Sequence, residues 1–166
     1  WVTEPNQAGA SYGLGIASAG DVNADGYSDV LVGAFVNDNG QTNEGKVFLY
    51  LGSRFGPSTV PAWTFESDQA EGYAGFALAG LGDLDGDGYD DLAIGLPQEA
   101  HSTIVQAGAV YVTFGSAAGI DLARRQFWSQ DSTGISDSVE SGDHFGGALA
   151  IADLDKTSLI GTERRD

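Results

Sequence analysis

An all-β fold is predicted by three features of this sequence. The 166 residues include 25 glycines but only 4 prolines, a composition typical of short strands joined by tight turns. Valine, leucine, tyrosine and phenylalanine, which favour strands or pack well in sheets, are abundant between those turns. The third feature is an internal repeat of about 60 residues, and each unit is interpreted as four strands. A chain of this length is expected to form one domain.

The repeat is visible when the sequence is compared with itself. Two long segments recur 62 positions later: Trp1–Gly13 as Trp63–Gly75, and Gly20–Ala34 as Gly82–Leu96. The segment that starts at Gly45 recurs at Gly108, 63 positions later, so one residue is inserted between the copies. A third copy starts near Phe127 and is incomplete. The chain therefore contains about two and a half units.

Each unit is predicted to form four short antiparallel strands. In the second unit we place them at Gly75–Leu81, Asp91–Leu96, Gly108–Phe114 and Arg125–Trp128. The third strand alternates as a half-buried strand does, whereas the apolar run Leu92–Gly95 predicts a strand covered on both faces. One four-stranded sheet per repeat is the pattern of a β-propeller blade. We therefore expect a single partial propeller over residues 1–166, with units at 12–66, 74–129 and 144–166, the last incomplete.

Two acidic loops carry the strongest chemical signal. Both have the form Asp-x-Asp/Asn-x-Asp-Gly-x-x-Asp, in which oxygen-bearing side chains alternate and glycine permits a sharp turn. Such a loop suits a hard cation such as Ca²⁺, with the seventh residue contributing its backbone carbonyl and the ninth a closing carboxylate. The predicted ligands are Asp21, Asn23, Asp25, Tyr27 and Asp29 in the first loop, and Asp83, Asp85, Asp87, Tyr89 and Asp91 in the second.

An Asp-Gly turn without metal is the alternative interpretation of these loops, because aspartate and glycine are ordinary turn residues. Two copies at the same place in consecutive repeats favour the cation, and so does the repulsion between crowded carboxylates. Neither loop is an EF-hand, since the twelfth position holds Val32 or Ile94. Asp90, outside the ligand pattern, is interpreted as surface charge. In the third copy Thr157 and Gly161 occupy the fifth and ninth positions, so no normal calcium site is expected there.

These segments resemble the FG-GAP repeat of integrin α-subunit propellers and related bacterial secreted proteins. The shared features are a Phe/Tyr-Gly pair, then Gly-Asp, the acidic loop and an apolar VGA or IGLP. They occur in Tyr12–Ala34, in Ala74–Pro97 with Ala74-Gly75 at the place of the Phe/Tyr-Gly pair, and partly in Phe145–Asp155. The resemblance implies a propeller of seven blades whose innermost strands carry the Phe-Gly pair and whose calcium ions are structural. Exposed blade edges would need cover from other blades of a longer chain or from self-association.

The resemblance also implies that protein or glycan ligands meet the loops on the face opposite the calcium loops. Those loops are Val36–Glu44, Glu66–Tyr73, Gln98–Gln106 and Ser129–Asp143. We therefore expect an extracellular or cell-surface module for adhesion or protein recognition, with two Ca²⁺ sites. A glycan-binding module and a non-catalytic scaffold domain of a larger secreted enzyme are the alternatives. The recurrent Trp1, Trp63 and Trp128 are interpreted as packing on an outer strand, although exposed tryptophans could stack on sugar rings.

Composition disfavours other classes of function. With 24 acidic and 7 basic side chains the formal net charge is −17, which makes nucleic acid and anionic membranes poor partners. No apolar run reaches the length of about 18 residues that membrane insertion requires. Cysteine is absent, which excludes disulfides and thiol catalysis. No nucleophile and base recur in a catalytic arrangement, and His101 and His144 are interpreted as solvated, so we expect no enzyme.

Overall fold

The computed structural model describes residues 1–151, which form two four-stranded antiparallel sheets. The first sheet contains β1 (Tyr12–Gly20), β2 (Asp29–Ala34), β3 (Lys46–Tyr50) and β4 (Trp63–Glu66), hydrogen-bonded in chain order. The second contains β5 (Ala77–Gly82), β6 (Asp91–Leu96), β7 (Ala109–Phe114) and β8 (Asp121–Trp128), in the same order. The prediction of an all-β chain with four-stranded blades is confirmed. The acidic loop of the third copy, with Thr157 and Gly161, lies outside the described residues.

The observed strands differ from the predicted ones in burial and length. β6 coincides with the predicted strand, and all six of its residues are buried, as its continuous apolar run indicated. β7 was predicted to be half-buried, and this was wrong: every residue except Tyr111 is buried. β8 begins at Asp121 instead of Arg125, because β7 and β8 continue to pair as far as Phe114 and Asp121.

The main hydrophobic core lies between the two sheets, and a smaller cluster covers the outer face of each. The central core includes the buried side chains Leu31, Val47, Leu49, Leu92, Ile94 and Leu96. Behind the second sheet, Val110, Val112 and Phe114 pack against Phe145 and Leu149 of the following segment. β7 is therefore covered on both faces. This second layer of cover explains why it does not behave as a half-buried strand.

Two glycine contacts determine how closely consecutive units approach. A Cβ atom at Gly33, in β2, would collide with the carbonyl oxygen of Gly75, which has a φ of 85°. Gly95, in β6, makes the same contact with the carbonyl oxygen of Gly146, where φ is 83°. The glycine of the apolar VGA or IGLP segment thus meets the glycine that opens the next unit, which stands in Ala74-Gly75 and in Phe145-Gly146. Both positions require glycine because the two backbones touch there.

A repeated glutamine links the segment before the first strand of each sheet to the loop that follows the second strand of that sheet. Gln69 Oε1 accepts a hydrogen bond from the amide of Ala100 at 3.1 Å, and its Nε2 donates to the carbonyl of Ala100 at 3.2 Å. Gln7 forms the same pair of bonds with the backbone of Asp38, at 2.9 and 3.3 Å. The recurrent Gln-Ala of the sequence comparison is explained by this contact.

Glu99 is a buried acid beside the Gln69 link, with 5% of its surface exposed. Its Oε2 accepts a hydrogen bond from Ser67 Oγ at 2.6 Å, and its Oε1 accepts one from Gln69 Nε2 at 2.9 Å. Burial raises the pKa of Glu99, the Ser67 hydrogen bond opposes part of that rise, and the charge of Asp68 adds to it. The folded protein therefore retains the Glu99 proton to a higher pH than the unfolded chain does.

Relative to the wild type, the Glu99→Gln variant is expected to become progressively more stable as pH rises. Since the folded pKa lies above the unfolded value of about 4.3, the contribution of Glu99 to stability falls from that pH up to the raised pKa. Glutamine does not titrate, so the free energy of unfolding of the variant should gain on the wild type across that window. Urea unfolding between pH 4.5 and 7 measures this difference. The exposed Glu71→Gln serves as control, and a Glu99→Gln effect independent of pH would contradict the expectation.

Candidate metal centres

The first acidic loop, between β1 and β2, is curled by its own first carboxylate. Asp21 Oδ1 accepts a hydrogen bond from the amide of Asp25 at 2.9 Å, and Asp21 Oδ2 accepts one from Gly26 at 2.8 Å. Gly26 has a φ of 91°, in the region that favours glycine. Asp83 accepts the corresponding two bonds in the loop between β5 and β6, at 2.9 Å each. Both loops therefore contain the sharp turn predicted at their sixth residue.

The ninth carboxylate of each loop is buried and is held by two backbone amides. Asp29, 1% exposed, accepts hydrogen bonds from Val22 at 2.9 Å and from Gly52 at 2.7 Å. Asp91, also buried, accepts equivalent bonds at 2.8 and 2.9 Å, the second from Gly115. Burial raises the pKa of both aspartates, the amides oppose the rise, and the other loop carboxylates add to it. Each ninth residue thus ties its loop to the segment after the third strand of its sheet.

The second loop brings three carboxylates close enough to share one cation. One oxygen each of Asp83, Asp85 and Asp91 lie within 4.8 Å of one another. A set of carboxylates without thiolate or imidazole suits a hard cation. The neighbouring charges that raise the pKa of Asp91 are also the charges that a cation would neutralise. The residues of this loop therefore fit Ca²⁺.

The first loop is arranged somewhat differently at its third position. Asn23 Nδ2 donates a hydrogen bond to Asp25 Oδ2 at 3.1 Å, which a carboxylate at this position cannot do. The bond from the amide of Asp25 to Asn23 Oδ1, at 3.2 Å, recurs in the second loop between Asp87 and Asp85. The amide of Tyr27 also donates to Asp25, at 3.0 Å, as that of Tyr89 does to Asp87 at 3.2 Å. All ten predicted ligands thus lie in two similarly curled loops. Their role as ligands stays a prediction.

Arg124 of β8 is a cation that the sequence interpretation missed. Its guanidinium forms ion pairs with Asp85 and with Asp87, the latter at 2.9 Å, and lies 4.9 Å from the ring centroid of Phe114. The 63-residue shift that relates Gly45 to Gly108 puts Pro61 at the corresponding sequence position of the first unit. The second loop therefore has an internal counter-charge whose equivalent in the first unit is a proline.

Removal of this charge by Arg124→Gln is expected to raise the Ca²⁺ affinity of the second loop about two- to fivefold, the range of a partly exposed ion pair. The arginine attracts two of the predicted ligands and repels an incoming cation, so its loss favours the ion on both grounds. Calorimetric titration with CaCl₂ measures the effect. Arg125→Gln removes the same charge from a side chain 5.9 Å from the Tyr111 ring centroid. Equal effects of the two variants would contradict a specific role for Arg124.

The opposite end of the sheets carries two adjoining concavities. One, of about 500 Å³, is lined by Ala70, Glu71, Gln98, Ala100, Val105 and Gln106. The other, of about 320 Å³, is lined mainly by apolar atoms of Tyr73, Phe76, Pro97, Gln98, His144 and Gly147. The predicted loops Glu66–Tyr73 and Gln98–Gln106 both contribute to this surface. The ring centroid of Phe35 lies 5.8 Å from that of Tyr73 and 5.2 Å from that of Phe76.

The two histidines differ in their surroundings. His144 is exposed, and its Nδ1 lies 3.1 Å from the carbonyl oxygen of Pro97. His101 is only partly exposed: its Nε2 lies 3.6 Å from Asp131 Oδ2, and its ring stacks on Phe127 with the centroids 6.1 Å apart. The interpretation of His101 as a solvated residue therefore holds only in part, because Asp131 and Phe127 lie against its ring.

The three recurrent tryptophans do not share one environment. Trp63 and Trp128 lie in the outermost strands, as interpreted, but Trp1 lies outside any strand, with its ring edge-on to Tyr50 at 5.1 Å. Trp128 is 36% exposed and donates from Nε1 to Gln126 Oε1 at 3.1 Å. It lines a concavity of about 380 Å³ with Gln126, Phe127, Ser132 and Thr133. An exposed and oriented indole is the feature that a sugar-binding role would need.

Comparison with known proteins gives a consistent result. The family model of the FG-GAP repeat matches residues 12–50 and 74–113. Integrin alpha-4 of Xenopus laevis is 38% identical over 115 residues, which is 68% of this chain. Integrin alpha-PS2 of Drosophila melanogaster is 40% identical over 57% of the chain, and integrin alpha-6 of Gallus gallus is 33% identical over 64%. The matched part corresponds to 10%, 7% and 10% of these relatives, so the chain spans about a tenth of their length or less.

Proposed function

The chain carries two FG-GAP repeats similar to those of integrin α-subunits, and we propose that it is a Ca²⁺-stabilised β-propeller module for adhesion or protein recognition. Its proposed location is extracellular or at the cell surface, because exposed loops of this kind suit the high calcium concentration outside cells. Among the described residues no helix is long and apolar enough to cross a membrane. The remaining blades are proposed to come from a longer chain or from self-association.

The cation is proposed to act on structure and not on the partner directly. A bound Ca²⁺ supplies positive charge and accepts six to eight oxygen ligands. Asp83, Asp85 and Asp91 would hold it in the second loop, and Asp21, Asp25 and Asp29 are proposed to do so in the first. Asp29 and Asp91 also accept hydrogen bonds from backbone amides that follow β3 and β7. A ninth carboxylate held in place by the cation would therefore tie three segments of each sheet together. We propose no enzymatic role for either loop.

The observation that carries the recognition proposal is the pair of adjoining concavities at the end of the sheets away from the acidic loops. Phe76 is 46% exposed in the more apolar of the two. An exposed aromatic side chain in a concave apolar surface is the kind of anchor on which protein interfaces depend. Glu71, in the neighbouring concavity, adds the negative charge that would favour a basic partner.

Binding to a panel of purified extracellular-matrix proteins, measured in 1 mM CaCl₂, tests this function. We expect Phe76→Ala to weaken binding about tenfold or more, the effect of truncating an interface anchor. Trp128→Ala removes an aromatic ring from a different surface and serves as the control. Excess chelator should also weaken binding. Binding to no protein of the panel, or binding that is insensitive to Phe76→Ala, would contradict the proposed use of this surface.

A glycan-binding module is the second candidate, and the exposed Trp128 favours it. The ring is held by Gln126 beside Ser132 and Thr133, whose hydroxyls suit hydrogen bonds to sugars. Binding on a glycan array that is lost in Trp128→Ala but retained in Phe76→Ala would support this candidate over protein recognition. A scaffold domain of a larger secreted enzyme is the remaining alternative, and the full-length gene sequence would identify it.

A further inference from the structure

We propose that Asp90 is a positioning residue that couples the two acidic loops, so that a cation in the second loop raises the affinity of the first. This inference rests on the proposed Ca²⁺ role of both loops. Asp90 was interpreted from the sequence as surface charge, and that interpretation was wrong. The residue is half-buried, and its carboxylate accepts a hydrogen bond from the first loop.

The contact between the loops is formed by Asp90 and Asp21. Asp90 Oδ2 accepts a hydrogen bond from the amide of Asp21 at 2.7 Å, and the amide of Asp90 donates to the carbonyl of Asp21 at 3.1 Å. Both backbone groups of Asp21, the first predicted ligand of the first loop, are therefore held by one residue of the second unit. A hydrogen bond to a charged acceptor is about twice as strong as one between neutral groups.

The surroundings of Asp90 bring the second unit into close contact with the start of the first loop. Gly20 has a φ of 73°, and a Cβ atom there would collide with the Asp90 carboxylate. Next to this contact, the amide of Ser116 donates to the carbonyl of Val22 at 3.2 Å. The second unit thus holds the start of the first loop at two adjacent points.

The position of Asp90 in the chain gives the coupling its physical basis. It stands between Tyr89 and Asp91, the last two predicted ligands of the second loop. A cation held by both neighbours would restrict the backbone of Asp90 and so hold Asp21 in its observed position. The first loop would then lose less conformational freedom on binding its own ion. Linkage requires the effect to be reciprocal, and such couplings are typically about 5- to 150-fold.

Charge has a competing effect on the same two sites. Two bound divalent cations repel each other, which opposes positive coupling. The negative charge of Asp90, between the loops, attracts both ions and offsets part of that repulsion. Asp90→Asn separates the two contributions, because asparagine retains an oxygen acceptor for the Asp21 amide but removes the charge. Asp90→Ala removes both.

Calcium titration calorimetry of the full 166-residue chain tests the coupling. Asp87→Ala disables the second loop so that the first is measured alone, and Asp25→Ala disables the first so that the second is measured alone. We expect the first loop to bind Ca²⁺ about five- to tenfold more tightly with the second loop intact than in Asp87→Ala, at the lower end of known couplings. Asp90→Ala should abolish that difference, and Asp90→Asn should retain part of it. Asp68→Ala, an exposed aspartate at the other end of the sheets, is the charge control.

The outcomes of this titration separate the coupling from the proposed function. Two sites whose affinities are independent of each other would overturn the coupling and leave the calcium role intact. A first-loop affinity unchanged by Asp90→Ala would also overturn it. No calcium binding at either loop would overturn both the function and the coupling. Circular dichroism of each variant, with Asp90→Asn as the milder substitution, verifies that the sheets are retained.

Discussion

Unfolding of this protein in 1 mM CaCl₂ is expected to require about 3 kcal/mol more free energy than in calcium-free buffer. A site with a dissociation constant near 10⁻⁴ M adds about 1.4 kcal/mol at that concentration, and the two loops are counted as two sites. The physical origin is the crowding of carboxylates around Asp91, which a cation would neutralise. Urea denaturation in the two buffers measures the difference.

A single-site variant makes the calcium expectation specific. Asp87→Ala should remove about half of the calcium-dependent increment if the loops bind independently, because the second loop would lose a predicted ligand, and more than half if Asp90 couples the loops as proposed. Asp137→Ala removes the same charge from the long segment after β8 and should leave the increment unchanged. A cooperative transition that is indifferent to calcium would contradict the metal assignment of both loops. A chain with no cooperative transition in either buffer would need further blades in order to fold.

Gly33→Ala is expected to lower the free energy of unfolding by about 3 kcal/mol, at the upper end of the usual cost of overpacking. The added methyl group would collide with the carbonyl oxygen of Gly75, and backbone atoms cannot turn aside as a side chain can. Gly95→Ala should have a similar effect, since it meets the carbonyl of Gly146. Urea denaturation in calcium measures both variants.

Gly147→Ala provides the comparison for these core glycines. A Cβ atom at Gly147 would lie 3.1 Å from the nearest backbone oxygen, that of His144, which is a tight contact but not a collision. We expect its cost to be well under half that of Gly33→Ala. Equal stability of Gly33→Ala and the wild type would show that the two units do not approach as closely as the structure has them.

Local features of the fold could be predicted from the sequence because their causes lie within a few residues. β6 occupies the predicted Asp91–Leu96, since a continuous apolar run between turn residues specifies a buried strand. The curl of the acidic loops was also predictable. Asp21 bonds to the amide of Gly26 only five residues later, and the glycine provides the positive φ that this turn needs.

Contacts between distant segments could not be predicted in the same way. Asp90 reaches a partner 69 positions away, and nothing in its immediate neighbours distinguishes it from an exposed aspartate. Arg124 pairs with Asp87 across 37 positions, and its only signal was an unexplained positive charge in a very acidic chain. The burial of β7 depends on Phe145 and Leu149, which belong to the following segment.

The sequence by itself determined the repeat, the four strands of each blade and the two acidic loops, because periodic apolar runs and turn residues act over short distances. Only the tertiary structure decided how the units meet. It placed Gly33 against Gly75 and Asp90 on Asp21. These contacts depend on the distance and register between two sheets, and packing of the whole core sets that distance and register.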